Sequence, residues 1–368
     1  MKIQAAVVRA PHAPMSLETL DMEAIRDNEI LVRLVATGVC HTDIAMRDQA
    51  FPVPQPIVLG HEGAGVVEAV GRSVTKVQAG DHVVMSFNSC GHCDSCHDNL
   101  PSYCHDFFGR NFAGARPDGT SPLSKDGEAV HGNFFGQSSF ATYSICTERN
   151  IVKVPKSAPL ELLGPLACGI QTGAGAVINT LKPTVGESLA VFGAGSVGIA
   201  AIMAAQAIGV TNIIAVDLVD ERLALARELG ATHTLNPKSG VDVVAEIKRL
   251  TGAGANRSFD TTGVMKVLRQ AVECLAPRGM CGFVGASAVG TELTVDVLDI
   301  MTQGKVVRGI VEGDAIADVF IPAMIELYQA GRFPFDKLIT FYPFEKLNDA
   351  IADSEAGKVV KPVVRMPQ

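Results

Sequence analysis

The stretch VFGAGSVG, residues 191–198, joins an apolar β-type run to a helix-forming run through Gly193, Gly195 and Gly198. The run before it is ESLAVFGAG, and the run after it is SVGIAAIMAAQAIG. The G-x-G-x-x-G spacing carries weight only between a strand and a helix, which is its position here. The first glycine permits a tight turn, the second a close approach to phosphate, and the third helix–strand packing. The stretch therefore predicts a dinucleotide-binding βαβ unit.

An acidic residue completes this pattern. Asp217 ends the next β-type run, IIAVD, 19 residues after Gly198. Its carboxylate would accept hydrogen bonds from an adenosine ribose and repel a 2′-phosphate, which favours NAD over NADP. Arg222 lies nearby in the sequence and would soften that preference. The alternative is a glycine turn with a purely structural role.

Strand and helix patterns alternate around this unit. NIIAVDL, RSFDTTG and MCGFVGA are strand-like, whereas DERLALARELG, VDVVAEIKRLTG and VLRQAVECLAPRG are helix-like. This alternation predicts a doubly wound parallel sheet, a Rossmann-type α/β domain, over residues 170–310. Residues 1–169 and 311–368 are expected to form a second domain, because short β-type runs with Gly and Pro between them indicate an antiparallel, partly barrel-like structure. We expect residues 105–140 to be a long loop.

Composition restricts the possible function. The net charge of −8 argues against a nucleic-acid partner, because such binding rests on phosphate contacts. The longest apolar stretch, residues 196–210, is shorter than the roughly 20 residues that span a bilayer, so no membrane association is expected. Without a recognisable targeting segment, a cytoplasmic location is expected. Nine cysteines in such a chain indicate metal ligands or buried thiols rather than disulfides.

Three dispersed residues form a first candidate metal site. Cys40, His61 and Cys168 lie in GVCHTDIAM, GHEGAGVV and GPLACGIQTG. Two thiolates and one imidazole leave the fourth tetrahedral position of zinc open, as in catalytic sites. Zinc there would lower the pKa of an alcohol hydroxyl, so that hydride can leave for a nicotinamide ring. Asp43 is expected to hydrogen-bond His61 and fix its tautomer.

Four cysteines close together form a second candidate site. Cys90, Cys93, Cys96 and Cys104 are spaced C-x2-C-x2-C-x7-C, which fits a closed structural zinc site. A disulfide or redox pair and an iron–sulfur cluster are alternatives. The ferredoxin-like run would have a proline after its last cysteine, whereas His105 follows here. We therefore expect two zinc ions per subunit. A zinc-ribbon interaction module would also use four cysteines, but the acidic balance argues against it.

Taken together, the motifs resemble the zinc-dependent medium-chain alcohol dehydrogenases over nearly the whole chain. They are GVCHTD, GHEGAGVVEAVG, the four-cysteine loop, GPLACGIQTGAGA, VFGAGSVG with Asp217, and AGKVVKPVV. SFNSCGHCDSC, FFGQSSFATY, GIVEGDA and GRFPFDKLITFY are most similar to the bacterial aryl-alcohol and geraniol-oxidising branch. The resemblance implies a GroES-like β-rich catalytic domain beside the Rossmann domain, and a homodimer or homotetramer.

The resemblance also implies roles for individual residues. Glu62 is similar to a carboxylate that approaches the metal during ligand exchange, and Thr42 to the hydroxyl that takes the alcohol proton. His41 and Lys361 resemble residues that contact the cofactor pyrophosphate, although Lys361 replaces the usual arginine. Arg222 resembles a cationic neighbour of the adenosine ribose. A histidine that ends the proton relay in many members is replaced by Ala45.

The implied substrate is a small primary aromatic or allylic alcohol, with its aldehyde as product. Phenylalanines are frequent in the first domain and suit a planar substrate. They are Phe51, Phe107, Phe108, Phe112, Phe134, Phe135 and Phe140. Geraniol or perillyl alcohol oxidation and glutathione-dependent formaldehyde oxidation are alternatives, and the last would need a cationic anchor such as Arg110 or Arg116.

Overall fold

The computed structural model describes residues 1–367, in which strands and helices alternate along the chain. The strands are β1 (Lys2–Val8), β2 (Ser16–Met22), β3 (Glu29–Gly38), β4 (Ile57–Val58), β5 (Gly63–Val70), β6 (His82–Met85), β7 (Leu123–Lys125), β8 (Glu128–Val130), β9 (Tyr143–Thr147), β10 (Ile151–Lys153), β11 (Ser188–Phe192), β12 (Asn212–Val216), β13 (His233–Leu235), β14 (Ala255–Asp260), β15 (Leu275–Phe283), β16 (Val306–Gly309), β17 (Ile339–Pro343) and β18 (Lys361–Arg365). The α-helices are α1 (His41–Arg47), α2 (Asp94–His97), α3 (Phe107–Phe112), α4 (Leu160–Leu163), α5 (Gly169–Gly175), α6 (Ser196–Ala207), α7 (Asp220–Glu228), α8 (Val243–Thr251), α9 (Met265–Glu273), α10 (Val297–Gln303), α11 (Ala317–Gln329) and α12 (Leu347–Glu355).

The chain divides into two units. The first comprises Met1–Cys168, Ile316–Ile325 and the residues from Asp336 onward. The second comprises Gly169–Ala315 and Glu326–Phe335. The second unit thus extends beyond the predicted end at residue 310 and also takes up residues 326–335.

The second unit contains a six-stranded parallel sheet in the order β13-β12-β11-β14-β15-β16. This confirms the predicted Rossmann architecture. All five residues of β11 are buried, as expected for a central strand covered on both faces. The strand order reverses beside β11, at the crevice where open α/β sheets bind ligands.

The glycine turn follows β11 and opens α6. Gly193 has a φ of +93°, in the left-handed region that favours glycine. A Cβ atom on Gly198 would overlap the carbonyl oxygen of Gly193, so only glycine lets α6 pack this closely on the turn. Both residues therefore have the steric roles predicted from the sequence.

The first unit is β-rich and mainly antiparallel, which confirms the predicted GroES-like domain. One sheet has the order β4-β1-β2-β7-β8. The other has the order β10-β6-β5-β3-β18-β17, with β9 also paired to β3. Among residues 1–367, β17 and β18 form the one parallel pair of this second sheet. Buried residues such as Ile30, Val67, Phe140 and Val364 form a shared core.

Two local predictions were wrong. Residues 105–140 are not one long loop, because they contain α3, β7, β8 and a 3₁₀ turn at Phe134–Gly136. These elements are too short to show hydrophobic periodicity. The helix predicted over residues 267–279 ends at Glu273, and Leu275 already begins β15. Pro277 cannot continue a helix, which explains the early end.

No single helix within residues 1–367 is both long and apolar enough to cross a membrane; only the consecutive helical segments at 160–167 and 169–181 reach that length together.

Candidate active site and metal centres

The three dispersed ligands come together in the first unit. Cys40 lies before α1, His61 before β5, and Cys168 before α5. Their ligand atoms and a carboxylate oxygen of Glu62 all lie within 4.8 Å of one another. The sulfur atoms of Cys40 and Cys168 are 4.0 Å apart. Two thiolates bound to one tetrahedral zinc at 2.3 Å would lie about 3.8 Å apart, so the spacing fits zinc.

The Asp43 carboxylate organises two of these ligands. Its Oδ1 accepts hydrogen bonds from His61 Nδ1 at 2.8 Å and from the backbone N–H of Gly60 at 3.0 Å. Its Oδ2 accepts from the backbone N–H of Cys40 at 3.0 Å. The side chains of Asp43 and His61 are both fully buried. The predicted Asp43–His61 contact is therefore present, and Asp43 also orients the segment of Cys40.

The second ring nitrogen of His61 tests whether these residues fit a metal ion. His61 Nε2 is buried and has no hydrogen-bond partner among the described residues. Burial lowers the pKa of His61, but the Asp43 carboxylate raises it well above its ordinary value. A hydrogen bond with Cys168 holds the pKa of Cys40 well below its usual range. Zinc binds histidine as the neutral imidazole and cysteine as the thiolate, so a metal ion at these residues would displace their protons.

A buried ion pair adjoins the ligands. Lys361 Nζ lies 2.7 Å from Glu62 Oε1 and donates to the carbonyl of Val39 at 3.2 Å. Lys361 is 1% exposed and Glu62 is fully buried. Burial raises the pKa of Glu62 to about 7, although the nearby ammonium opposes this. A side chain on Gly38 would overlap Glu62 Oε2, so this glycine makes room for the carboxylate.

The other predicted residues lie along α1. Thr42 is half-buried, with its hydroxyl 3.7 Å from Cys40 Sγ. His41 is exposed, and Ala45 packs against the core of the first unit. Thr42 therefore lies beside the ligands, whereas a cofactor contact of His41 or Lys361 stays a prediction.

Sequence reasoning did not predict which residues surround His61, although Phe134 and Phe135 were among the phenylalanines expected to suit a planar substrate. The ring of Phe135 lies over the imidazole at a centroid distance of 4.6 Å, and Phe134 meets it edge-on at 5.7 Å. Gln137 Nε2 donates to the His61 carbonyl at 2.9 Å. All three belong to FFGQSSFATY. That motif carried a resemblance, but nothing in its spacing indicated a contact with His61.

The four clustered cysteines form the second centre. Their sulfur atoms lie within 4.8 Å of one another. Cys90 and Cys96 are 3.9 Å apart, and Cys93 and Cys104 are 4.0 Å apart, so the sulfurs surround one point rather than pair as disulfides. The neighbouring His92, His97 and His105 are exposed, and none belongs to the cluster.

Backbone amides prepare one thiol of this centre for a metal. The N–H groups of His92 and Cys93 donate to Cys90 Sγ at 3.4 and 3.3 Å. These hydrogen bonds, that of His92 first, lower the pKa of Cys90 to about 6. Burial instead raises the pKa of Cys104 to about 12. Four thiols around one point leave no open coordination position, which favours a structural metal.

In the second unit, Asp217 is fixed beside the glycine turn. Its Oδ2 accepts from the backbone N–H of Ala194 at 2.6 Å, and its Oδ1 from that of Val219 at 2.9 Å. Arg222 is half-buried, and its Nε has no hydrogen-bond partner among the described residues. A cavity of about 500 Å³ lies next to Asp217 and is lined by Leu218, Val219, Asp220, Glu221, Asn236, Lys238 and Ser239.

Fold and metal-ligand geometry together define a class of protein: this chain belongs to the zinc-dependent medium-chain alcohol dehydrogenase family, and is an oxidoreductase. Residues 26–156 match the family model of the alcohol dehydrogenase GroES-like domain, and residues 196–330 that of zinc-binding dehydrogenases. The resemblance predicted from the motifs is thereby confirmed.

Individual members of this family are similar to the chain over nearly their whole length. The chain is 48% identical to geraniol dehydrogenase of Castellaniella defragrans, over 98% of this chain and 97% of that protein. The crystal structure of benzyl alcohol dehydrogenase from Acinetobacter calcoaceticus superposes with a TM-score of 0.97 at 48% identity, covering both chains completely. An alcohol dehydrogenase zinc-binding domain protein from Burkholderia ambifaria gives a TM-score of 0.98 at 54% identity, also over both whole chains.

Proposed function

We propose that the protein uses zinc and NAD to oxidise primary aromatic or allylic alcohols reversibly to aldehydes. The observation that carries this proposal is the convergence of Cys40, His61 and Cys168 beside an aromatic wall, which consists of the buried rings of Phe135 and Phe134. Phe107 and Phe112 extend this wall, with ring centroids 6.5 and 5.1 Å from that of Phe135. A planar conjugated alcohol suits an apolar aromatic environment that excludes water.

Each residue of the site has a defined task in this proposal. Cys40, His61 and Cys168 would hold the metal, and Asp43 keeps the imidazole in the required orientation. Zinc held there would supply a Lewis acid that lowers the pKa of an alcohol hydroxyl, and NAD would supply the hydride acceptor. The hydroxyl of Thr42 accepts the alcohol proton. Because Ala45 carries no base, the proton passes from Thr42 to water.

A substrate panel tests the proposal. We expect kcat/KM with NAD to be at least about 100-fold higher for benzyl alcohol or geraniol than for ethanol, since their larger apolar groups bind in an apolar site. The names of the relatives support both benzyl-type and geraniol-type substrates. Equal kcat/KM values for ethanol and the two larger alcohols would contradict the proposal.

Glutathione-dependent formaldehyde oxidation is the less supported alternative. Arg116 is buried and forms ion pairs with Glu29 at 2.6 Å and with Glu23 at 2.7 Å. Arg110 pairs with Asp106 at 3.0 Å. Both guanidinium groups already face carboxylates, which disfavours them as anchors for an anionic adduct. Including S-hydroxymethylglutathione in the same substrate panel tests directly whether the protein oxidises this adduct.

The orientation of Asp217 supports the choice of NAD. We expect Asp217→Ala to lower kcat/KM for NAD at least about tenfold, because hydrogen bonds to a charged group contribute roughly 1.5–3 kcal/mol. The NADP-to-NAD preference should rise with it, since the repulsion of a 2′-phosphate is removed. Steady-state kinetics with both cofactors measure the change. Glu273→Gln, an exposed carboxylate paired with Arg269 in the same unit, is the control and should leave the preference unchanged.

The four-cysteine centre is proposed to hold the second zinc. Cys96→Ser should reduce the zinc content from two ions to one per chain and lower the unfolding temperature, since structural zinc contributes directly to folding. The folded Cys96→Ser chains that hold zinc only at the open site should keep most of their activity, even though their unfolding temperature is lower. Elemental analysis and thermal unfolding provide the measurements. A Cys96→Ser chain that keeps two zinc ions and wild-type stability would contradict this role.

We also propose a homodimer or homotetramer. Exposed apolar side chains cluster on α10 and at the start of the edge strand β16. They are Val297, Leu298, Met301 and Val306, which are 75, 63, 69 and 43% exposed. Leu298→Glu combined with Met301→Glu should dissociate the assembly, because charges are costly in an apolar interface. Sedimentation velocity distinguishes the outcomes, and an assembly of unchanged size would exclude this surface.

A further inference from the structure

The three ligands of the open metal site lie on separate chain segments, and Asp43 forms hydrogen bonds to only two of these segments. It bonds to the ring of His61 and to the backbone of Cys40. The segment that carries Cys168 meets the segment of His61 by a different route, through two buried polar side chains, Gln137 and Ser86.

The side-chain amide of Gln137 is the centre of this route. Its Oε1 accepts from the backbone N–H of Gly63 at 3.1 Å. Its Nε2 donates to the carbonyl of His61 at 2.9 Å and to that of Met85 at 3.1 Å, with the carbonyl of Ser86 at 3.3 Å. Gln137 is 2% exposed. One amide group thus holds the backbone on both sides of Glu62 against the end of β6.

Ser86 continues the route to the third ligand. Its hydroxyl donates to the carbonyl of Ala167 at 2.7 Å, and Ala167 directly precedes Cys168. Ser86 is fully buried. An unbroken series of short contacts therefore joins His61, Gln137, Ser86 and the backbone at Cys168.

The surroundings fix the position of Gln137. Phe135, Gly136 and Ser138 on either side of it have φ values of 51°, 66° and 55°. Left-handed conformations cost energy for residues other than glycine and persist only where neighbours enforce them. The Ser144 hydroxyl holds the main-chain carbonyl of Gln137 at 2.5 Å.

We infer that Gln137 is a positioning residue that, with Ser86, sets the separation of His61 from Cys168 and thereby the affinity for the metal. This inference rests on the proposed function, in which both residues bind zinc. Groups that orient metal ligands typically change metal affinity about 10–100-fold when removed.

Gln137→Met tests the inference, because methionine keeps a similar length without the amide. In the full-length zinc-loaded protein, chelator competition should show about a tenfold loss of affinity at the open site. The visible absorption bands of the cobalt-substituted open site should shift, whereas the metal of the four-cysteine centre should stay bound. Ser258→Ala is the matched control: it removes a buried hydrogen bond to the carbonyl of Ala271 in the other unit, far along the chain from the ligands and from Gln137, so affinity and bands should not change.

The outcomes separate the inference from the proposed function. Unchanged affinity and cobalt bands in Gln137→Met, with only the unfolding temperature lowered, would overturn the inference and leave the proposed function intact. A wild-type chain that binds no metal at Cys40, His61 and Cys168 would overturn both. If Gln137→Met does not fold, Ser86→Ala carries the same test, with the same expected loss. Its control is again Ser258→Ala.

Discussion

Cys168→Ala is expected to abolish alcohol oxidation almost completely while leaving the fold intact. The substitution removes one of three ligands from the open site, so the metal should be lost there. A Lewis acid contributes several kcal/mol to transition-state stabilisation, and each 1.36 kcal/mol is a factor of ten in rate. We therefore expect kcat to fall by at least about 10³-fold. Steady-state kinetics and zinc analysis on the same preparation measure both effects.

The chain offers a matched control for this substitution. Cys146 is a buried thiol on β9 whose pKa is raised by burial, and it belongs to neither metal cluster. Cys146→Ala should keep the full zinc content and an activity within about twofold of wild type, because a buried small side chain mainly affects packing. Comparable losses in both variants would show that thiol removal disturbs packing rather than the metal site.

Lys361→Met is expected to produce the largest loss of stability. It leaves the fully buried Glu62 carboxylate without the ammonium group 2.7 Å away. Breaking a buried ion pair by removing one partner typically costs about 3–5 kcal/mol. Replacing both partners with apolar residues is far less costly, so Lys361→Met with Glu62→Met should recover much of the stability. Urea unfolding of the single and double variants measures the difference, and a single variant as stable as wild type would contradict the assigned pairing.

The cost of Lys361→Met should also depend on pH. In the metal-free protein without the ammonium, the pKa of Glu62 should lie above its value of about 7. The folded state then holds a proton that the unfolded state, with a carboxyl pKa of about 4.3, has lost, so stability falls as pH rises through this window. The deficit should be smaller at pH 5 than at pH 8. A pH-independent deficit would indicate lost packing rather than an unpaired charge.

The double variant also tests the predicted cofactor contact of Lys361. If Lys361 only neutralises Glu62, the double variant, in which stability is recovered, should bind NAD with wild-type affinity. If its ammonium contacts the pyrophosphate, NAD affinity should fall by about tenfold or more, since a hydrogen bond to a charged group contributes roughly 1.5–3 kcal/mol. Isothermal titration calorimetry with NAD distinguishes the two results.

The fold was predictable where its signals are local. The glycine turn after β11 and the alternation of strands and helices indicated the Rossmann unit, because each signal lies within one βαβ segment. The elements between residues 105 and 140 gave no such signal, since β7 and β8 have only three residues each. Such short strands are stabilised by pairing with neighbouring strands, and they are too short to show an alternation of apolar and polar residues in the sequence.

The candidate site was predictable by residue type but not by contact. Cysteine and histidine are rare enough that Cys40, His61 and Cys168 indicated a zinc site from chemistry alone. The Glu62–Lys361 pair joins residues 299 positions apart, and lysine and glutamate are too common for such a pair to be recognised in one sequence. Gln137 was missed for the same reason, since an amide bonded to backbone carbonyls has no sequence pattern.

The two sets of cysteines differ in their separation along the sequence, and this affects the order in which a newly made chain can bind metal. Cys90 and Cys104 are 14 residues apart, whereas Cys40 and Cys168 are 128 residues apart. Closing the shorter loop costs about 2 kcal/mol less chain entropy. On the ribosome, at roughly 5–20 residues per second, the compact set is complete several seconds before Cys168 emerges. If both sets hold zinc, then in a cell with little zinc the four-cysteine site would be filled before the open site. Chains that are stable but inactive would then accumulate.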